Sequence, residues 1–173
     1  TYVVSTKMDG TSALYHRGRL YTRGDAVMGR DISHVIPYLN LPDIPDDIAV
    51  RGEIVIAKKL FDTKYKGQKG THGGHRRVNR NSVSGALGSI NHIDPVFLAD
   101  LTFAAYEIIN EANPQASPHN QFQALKEAGF ETAYNTEMKT VDDESLSTLY
   151  HELLSDYIFE IDGLVVHVNR PYV

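Results

Sequence analysis

The chain has 173 residues, of which 42% are hydrophobic and 23% charged, and its formal net charge is -5. This length is enough for one domain with a full hydrophobic core. There is no cysteine, which excludes disulfides and thiolate chemistry. The acidic balance argues against binding of nucleic acid by bulk charge. We see no apolar run long enough to cross a bilayer, so we expect a globular domain outside any membrane.

Both ends of the sequence look cut. Thr1 lies almost inside a predicted strand, and residues 170–173 directly follow another strong strand pattern. We therefore expect one domain over residues 1–173 that is truncated at both ends. Such a domain works within a longer chain or together with a separate subunit.

The first third of the chain reads as strands and turns. An apolar strand ends at Lys7, and Asp9-Gly10 predicts a tight hairpin turn into a second strand. Residues 12–25 read as a strand-turn-strand meander. A helix is then expected, capped by Asp31 or Ser33.

The middle of the chain contains a basic, glycine-rich segment over residues 64–80. A loop of this composition could contact phosphates, or it could be a solvated loop without a ligand. Its histidines, His72 and His75, have no further metal-ligating residues beside them, which disfavours a metal site there.

The other predicted elements alternate irregularly between strand and helix. The expected strands cover 48–56, 101–109, 131–134 and 159–168; the expected helices begin at 58, 79, 117 and 142, with Ser117 as a cap and Gly129 as a stop. Early hairpins and this irregular order predict an α+β fold with antiparallel sheet and flanking helices, rather than a doubly wound one.

Several charged residues stand on or beside these apolar strands: Lys7, Asp9, Arg23, Asp25, Glu53 and Asp162. Each one alone is more often a strand-end charge in water. Because buried polar groups need partners, the set as a whole could instead build a polar pocket on a sheet.

Five short motifs in this order carry a family resemblance. They are Lys7-Met8-Asp9-Gly10, Thr22-Arg23-Gly24-Asp25, Arg51-Gly52-Glu53-Ile54, Asn79-Arg80-Asn81 with Ser84-Gly85-Ala86-Leu87, and Asp162-Gly163-Leu164-Val165-Val166. Together they resemble the adenylation domain of NAD-dependent DNA ligases over nearly the whole chain. The first motif is shared by all nucleotidyltransferases of the ligase and capping-enzyme superfamily; the second and fourth are much more specific to the NAD-dependent branch. The resemblance implies an antiparallel-sheet nucleotidyltransferase fold, similar to ATP-grasp.

The resemblance also implies catalytic roles. Lys7 would attack the AMP phosphorus of NAD and release nicotinamide mononucleotide. Asp9, Glu53 and Asp162 would surround the reacting centre, and the same three carboxylates would be the candidate ligands of Mg²⁺.

Further residues would bind the nucleotide, and the implied set is Thr6, Lys7, Arg23, Glu53, Arg80, Tyr106, Val165 and His167. Tyr106 would stack on adenine, and Arg80 would contact phosphate. AMP would then pass to the 5′-phosphate of nicked double-stranded DNA, as in DNA repair and replication. The implied location is the cytoplasm of a bacterium, or of a host cell that contains a virus or phage.

Two positions depart from the family pattern. Ser5 stands where the family has a glutamate that reads adenine, and His167 stands where it has a lysine that we expect to face the phosphate. These departures leave two alternatives open. One is an ATP-dependent relative such as an RNA ligase or capping enzyme, and the other is a degenerate nucleotide-binding module without catalysis.

Overall fold

The computed structural model describes residues 1–23, 29–66, 79–110 and 116–171. The strands are β1 Tyr2–Met8, β2 Thr11–His16, β3 Arg19–Thr22, β4 Arg30–Asp31, β5 Ile48–Val55, β6 Thr102–Asn110, β7 Glu131–Thr132, β8 Asn135–Met138 and β9 Ile161–Val168. The helices are α1 Lys58–Lys64, α2 Asn79–Gly88, α3 Pro95–Ala99, α4 Pro118–Glu127 and α5 Asp143–Asp156, with a 3₁₀ helix at Ser33–Tyr38.

These strands form two sheets. One has three strands in the order β8-β1-β9, and the other has six in the order β4-β3-β2-β5-β6-β7. The described pairings are antiparallel except for the short parallel contact of β6 with β7. The predicted α+β class with antiparallel sheet and flanking helices is therefore confirmed.

The predicted hairpin at Asp9-Gly10 is wrong. β1 pairs with β8 and β9, whereas β2 pairs with β3 and β5, so the turn carries the chain from one sheet to the other. Asp-Gly is a local turn signal and does not show which strands pair. Gly10 is needed for close packing, because a Cβ there would lie 2.2 Å from the backbone oxygen of Ile54.

The next turn is a true hairpin, as predicted. β2 and β3 pair directly, and the two residues between them, Arg17 and Gly18, have φ angles of 51° and 70°. Positive φ at both central positions is the geometry that matches the right-handed twist of paired strands.

Helix signals in the second half of the chain are also confirmed. The Ser117 side chain accepts a hydrogen bond from Asn120 N at the start of α4, and Gly129 has a φ of 98° just after its end. Asp142 caps α5 through Ser145 N, at 2.7 Å. In the first half, the predicted cap by Asp31 or Ser33 is wrong: the helix that begins at Ser33 is a 3₁₀ helix, and its N-cap is Ile32 without a side-chain cap hydrogen bond. Asp31 accepts from Ser33 N at 2.8 Å.

Three short elements, β4, α3 and β8, have no counterpart in the sequence prediction. Two predicted features lie outside the described residues: Gly24-Asp25 of the second motif, and residues 67–78 of the basic segment with His72 and His75.

The core lies around the six-stranded sheet. Its largest fully buried side chains include Phe97, Leu20, Ile54, Leu98 and Leu125. Phe97 packs against the ring of Tyr65 in an edge-to-face contact with centroids 4.8 Å apart. Among the described helices, none has the length and apolar character that a membrane span would require.

Candidate active site between the two sheets

A cavity of about 440 Å³ opens where the two sheets face each other. Its walls come from β1 and β9 of one sheet, from β2, β5 and β6 of the other, and from helices α2 and α4. The lining residues are Ser5, Thr6, Lys7, Met8, Asp9, Gly10, Ser12, Glu53, Arg80, Tyr106, Glu107, Pro118, Gln121, Phe122, Asp162, Val165 and His167. The size suits one small ligand.

The charged side chains gather at one end, which we call the lysine end: Lys7, Asp9, Glu53, Arg80 and Asp162. Lys7 Nζ lies 3.8 Å from Asp162 Oδ1, and Arg80 Nη1 lies 3.6 Å from Asp9 Oδ1. Lys7 and Gly163 are opposite each other in the β1–β9 register, which brings the neighbouring Asp162 beside the lysine. Lys7, Arg80 and Asp162 are all largely exposed, so their ion pairs are readily exchanged for a charged ligand.

Glu53 is the partly buried member of the lysine end. Burial raises the pKa of its carboxyl from 4.5 to about 7, against the opposing effect of a hydrogen bond from the Gly10 N–H. The negative charges of Asp162 and Asp9 raise it further, and Lys7 lowers it. Glu53 therefore holds a proton far more readily than an exposed glutamate, which is common at sites of proton transfer or anion binding.

The opposite end of the cavity borders the first turns of α4, and we call it the α4 end: Ser5, Tyr106, Glu107, Gln121 and Phe122. The sheet is tied to this helix there, because His119 N donates to Asn169 Oδ1 at 3.1 Å and Asn169 N to Thr1 O at 3.0 Å. The start of β1 and the end of β9 thus lie beside the start of α4.

A β-bulge shapes the wall of the α4 end. Arg51 pairs with Glu107 and Gly52 with Ala105, so Tyr106 is an extra residue in β6. A bulge breaks the strict alternation of side chains along a strand. As a result, two consecutive residues, Tyr106 and Glu107, both line the cavity. Burial raises the pKa of Tyr106, whose hydroxyl lies 3.4 Å from Ser12 Oγ.

Most of the predicted site residues meet in this cavity. Lys7, Asp9, Glu53, Arg80, Tyr106, Val165 and Asp162 line it, as do Thr6 and His167. Arg23 lies just beyond β3, is exposed, and is not among the described residues that line the cavity.

Two of these residues are placed differently from the expectation. The Thr6 hydroxyl donates to Tyr157 OH at 3.4 Å and the Thr6 N–H donates to Tyr134 O at 3.0 Å, so both donors of Thr6 are used within the protein. His167 pairs with Val3, four residues along β1 from Lys7. Four residues of strand span about 13 Å. The register therefore puts His167 toward the α4 end, which does not fit the expected contact with the reacting phosphate.

The predicted three-carboxylate metal site is not assembled as a ligand set. Within the described ranges, no group of three or more metal-ligating side chains is close enough to hold one ion. Asp9 and Asp162 are each within 4 Å of a cation, Arg80 and Lys7 respectively. Mg²⁺ is commonly bound by one or two carboxylates together with substrate phosphates, and Asp9 and Asp162 fit that smaller contribution.

Sequence reasoning missed several lining residues: Ser5 as a cavity wall, Ser12, Glu107, Pro118, Gln121 and Phe122. The cap at Ser117 predicts that α4 begins there, but no local signal shows which sheet it packs against. Gln121 is fixed in place, because its amide oxygen accepts from Ile108 N and its amide nitrogen donates to Ala116 O.

Comparison with solved structures finds proteins of similar fold. A structure from a study of Lig E DNA ligases matches 98% of this chain and 56% of its own length, with a TM-score of 0.59 and 18% identity. At this identity the likeness shows a shared fold.

The sequence profile of the NAD-dependent DNA ligase adenylation domain matches residues 1–172, and the chain belongs to this family. A putative DNA ligase of Invertebrate iridescent virus 6 is 35% identical over 99% of this chain and 29% of its own length. A DNA ligase of Acanthamoeba polyphaga mimivirus is 34% identical over 99% and 27%. The chain thus spans less than a third of the length of these curated relatives.

Proposed function

We propose that the cavity is a self-adenylation site in which Lys7 takes AMP from NAD. The observation that carries the proposal is the position of the Lys7 amine: it stands at one end of a nucleotide-sized cavity, 3.8 Å from Asp162. In the proposed step, Lys7 Nζ forms a bond to the AMP phosphorus. The phosphoanhydride bond breaks, nicotinamide mononucleotide leaves, and the lysine loses its proton.

The carboxylates of the lysine end would prepare the nucleophile. An amine attacks only in its neutral form, so an acceptor must remove a proton. Asp162 is the carboxylate nearest to Lys7, and Glu53, with its pKa near 7, can hold a proton at neutral pH. Asp9 positions Arg80, whose guanidinium would contact the phosphate.

The opposite end would bind the base. Tyr106 presents a partly buried aromatic ring for stacking on adenine, and Val165 lies level with Ser5 on the neighbouring wall. His167 would contact the nucleotide from the end of β9, and Thr6 from β1. Arg23, which does not line the cavity, is proposed to contact the ribose or the phosphate of the bound nucleotide.

Mg²⁺ is proposed as the metal, bound by Asp9 or Asp162 together with the phosphates. When bound, such an ion offsets phosphate charge during transfer. The next partner is nicked double-stranded DNA, whose 5′-phosphate would accept AMP before the 3′-hydroxyl displaces it in repair and replication. We propose that the chain does this within a longer protein or with a separate subunit, in the cytoplasm of a bacterium or virus-containing host.

Mass spectrometry of the lysine peptides tests the first step. The chain is incubated with Mg²⁺ and one of three AMP donors: NAD, ATP, or adenosine 5′-phosphorimidazolide, an activated AMP whose leaving group needs no recognition. We expect an AMP adduct on Lys7 from the imidazolide and from NAD, and none from ATP. Lys7→Ala should lose it, and Lys126→Ala, at an exposed position on α4, should keep it. Absence of an adduct from every donor would contradict the proposal, and labelling by ATP would favour an ATP-dependent relative.

A further inference from the structure

The β-bulge in β6 places a carboxylate in the cavity that the proposed self-adenylation does not use. Glu107 directly follows Tyr106, and the extra residue turns both side chains toward the same cavity. Without the bulge, alternation along the strand would point Glu107 to the opposite face of the sheet. The bulge therefore gives one stacking ring and one acceptor group from adjacent positions.

The Glu107 carboxylate has no hydrogen-bond or ion-pair partner in the described part of the chain. Arg51 lies directly across from it in the register, yet no ion pair or hydrogen bond joins them. Glu107 is only partly exposed. Its carboxylate lines the cavity and is available to accept a hydrogen bond from a ligand donor.

Other polar groups at this end are less suitable acceptors. Both polar atoms of the Gln121 amide are already engaged with main-chain groups. Ser5 offers only a hydroxyl, and β1 has no carboxylate side chain. Glu53 already accepts a hydrogen bond from the Gly10 N–H beside the charged groups of the lysine end, and its charge also acts on Tyr106.

We propose that Glu107 determines base specificity, by accepting a hydrogen bond from the exocyclic amino group of adenine while Tyr106 stacks on the ring. The inference rests on the proposed nucleotide site. A carboxylate accepts from an amino group but repels a carbonyl oxygen, so adenine is preferred over hypoxanthine, which has a carbonyl at the same position.

Calorimetric binding of AMP and of IMP tests this assignment without any chemical step. The parent chain should bind AMP at least about tenfold more tightly than IMP, since hydrogen bonds to charged groups are among the stronger ones. Glu107→Gln should reduce that ratio about tenfold, because an amide can donate to the carbonyl of IMP. Glu107→Ala should also reduce it, by loss of AMP affinity and relief of repulsion toward IMP.

Two control variants separate this role from a general loss of binding. Glu131→Gln removes an exposed carboxylate on β7, outside the cavity lining, and should keep the parent ratio. Ser5→Ala should leave the ratio within about threefold. An unchanged ratio in folded Glu107→Gln, or a collapse in Ser5→Ala alone, would overturn the assignment. A Lys7 adduct without AMP/IMP discrimination refutes this inference only, whereas failure to bind AMP at all refutes the proposed function as well.

Discussion

The two ends of the cavity are built in different ways. At the lysine end, Lys7, Arg80 and Asp162 are exposed, and ion pairs of 3.8 and 3.6 Å join Lys7 to Asp162 and Arg80 to Asp9. At the α4 end, the polar and aromatic groups are partly or fully buried, and main-chain hydrogen bonds or a bulge fix their positions. Surface ion pairs contribute little to stability, whereas packed groups are costly to move. The α4 end is therefore preformed, whereas the charged side chains of the lysine end can rearrange.

The largest effect on stability is expected at Gly10, in the tightly packed turn that connects the lysine end to β2. Gly10→Ala places a Cβ 2.2 Å from Ile54 O and 2.6 Å from Val55 Cγ1. The backbone atom cannot move cheaply, so we expect about 2–4 kcal/mol of destabilisation, measured by urea unfolding. Gly85→Ala, on α2 with open space around its Cβ, should instead be neutral or stabilising by up to about 1 kcal/mol. Equal stability of both variants would contradict this packing.

The next largest effect is expected on AMP binding at the α4 end. Tyr106→Ala should weaken AMP binding about 10- to 100-fold, because base–aromatic stacking contributes about 1–3 kcal/mol per base. Tyr106→Phe keeps the ring and loses only the contact with Ser12, so its affinity should stay within about threefold. Calorimetry measures both variants. A similar loss in the two would assign the binding energy to the hydroxyl and not to stacking.

The smallest effect concerns the pH dependence of the lysine end. The pKa of Glu53 is about 7 in the folded chain against 4.5 in its ordinary state. Between these two pH values the native state binds more protons than the unfolded state. The contribution of Glu53 to the free energy of unfolding is therefore fully present below pH 4.5 and is lost as the pH rises through about 7. Glu53→Gln removes this loss and should raise Tm by about 2–8 °C at pH 8, with little gain at pH 4.

Thermal unfolding monitored by circular dichroism at the two pH values measures this difference. Glu131→Gln serves as the exposed control and should show no pH-dependent gain. A gain from Glu53→Gln of equal size at both pH values would show that protonation of Glu53 is not its cause.

Local signals predicted much of the fold. The two-residue turn at Arg17-Gly18 and the caps at Ser117 and Asp142 act within a few residues, and each is found where the sequence indicates it. The Asp9-Gly10 turn does not form the predicted hairpin, because strand pairing depends on distant residues of β5, β8 and β9. The short strand β8 has no apolar pattern that would predict it from the sequence. It forms because residues 135–138 pair with β1.

The candidate site was predicted unevenly for the same reason. Lys7, Asp9, Glu53 and Asp162 belong to motifs that the sequence displays, and the structure brings them to one cavity. Glu107 belongs to none of these motifs, and only the offset between β5 and β6 turns it inward. His167 directly follows the last motif, but the register assigns it to the other end of the cavity.

The passage of the chain from β1 to β2 has a mechanical consequence. Lys7 belongs to the small sheet, and Tyr106 to the large one. AMP attached to Lys7 and stacked on Tyr106 would connect the two sheets, in addition to the short peptide link through Asp9 and Gly10. Adenylation of the lysine would therefore stiffen the junction between the two sheets, and transfer of AMP to DNA would remove this extra connection.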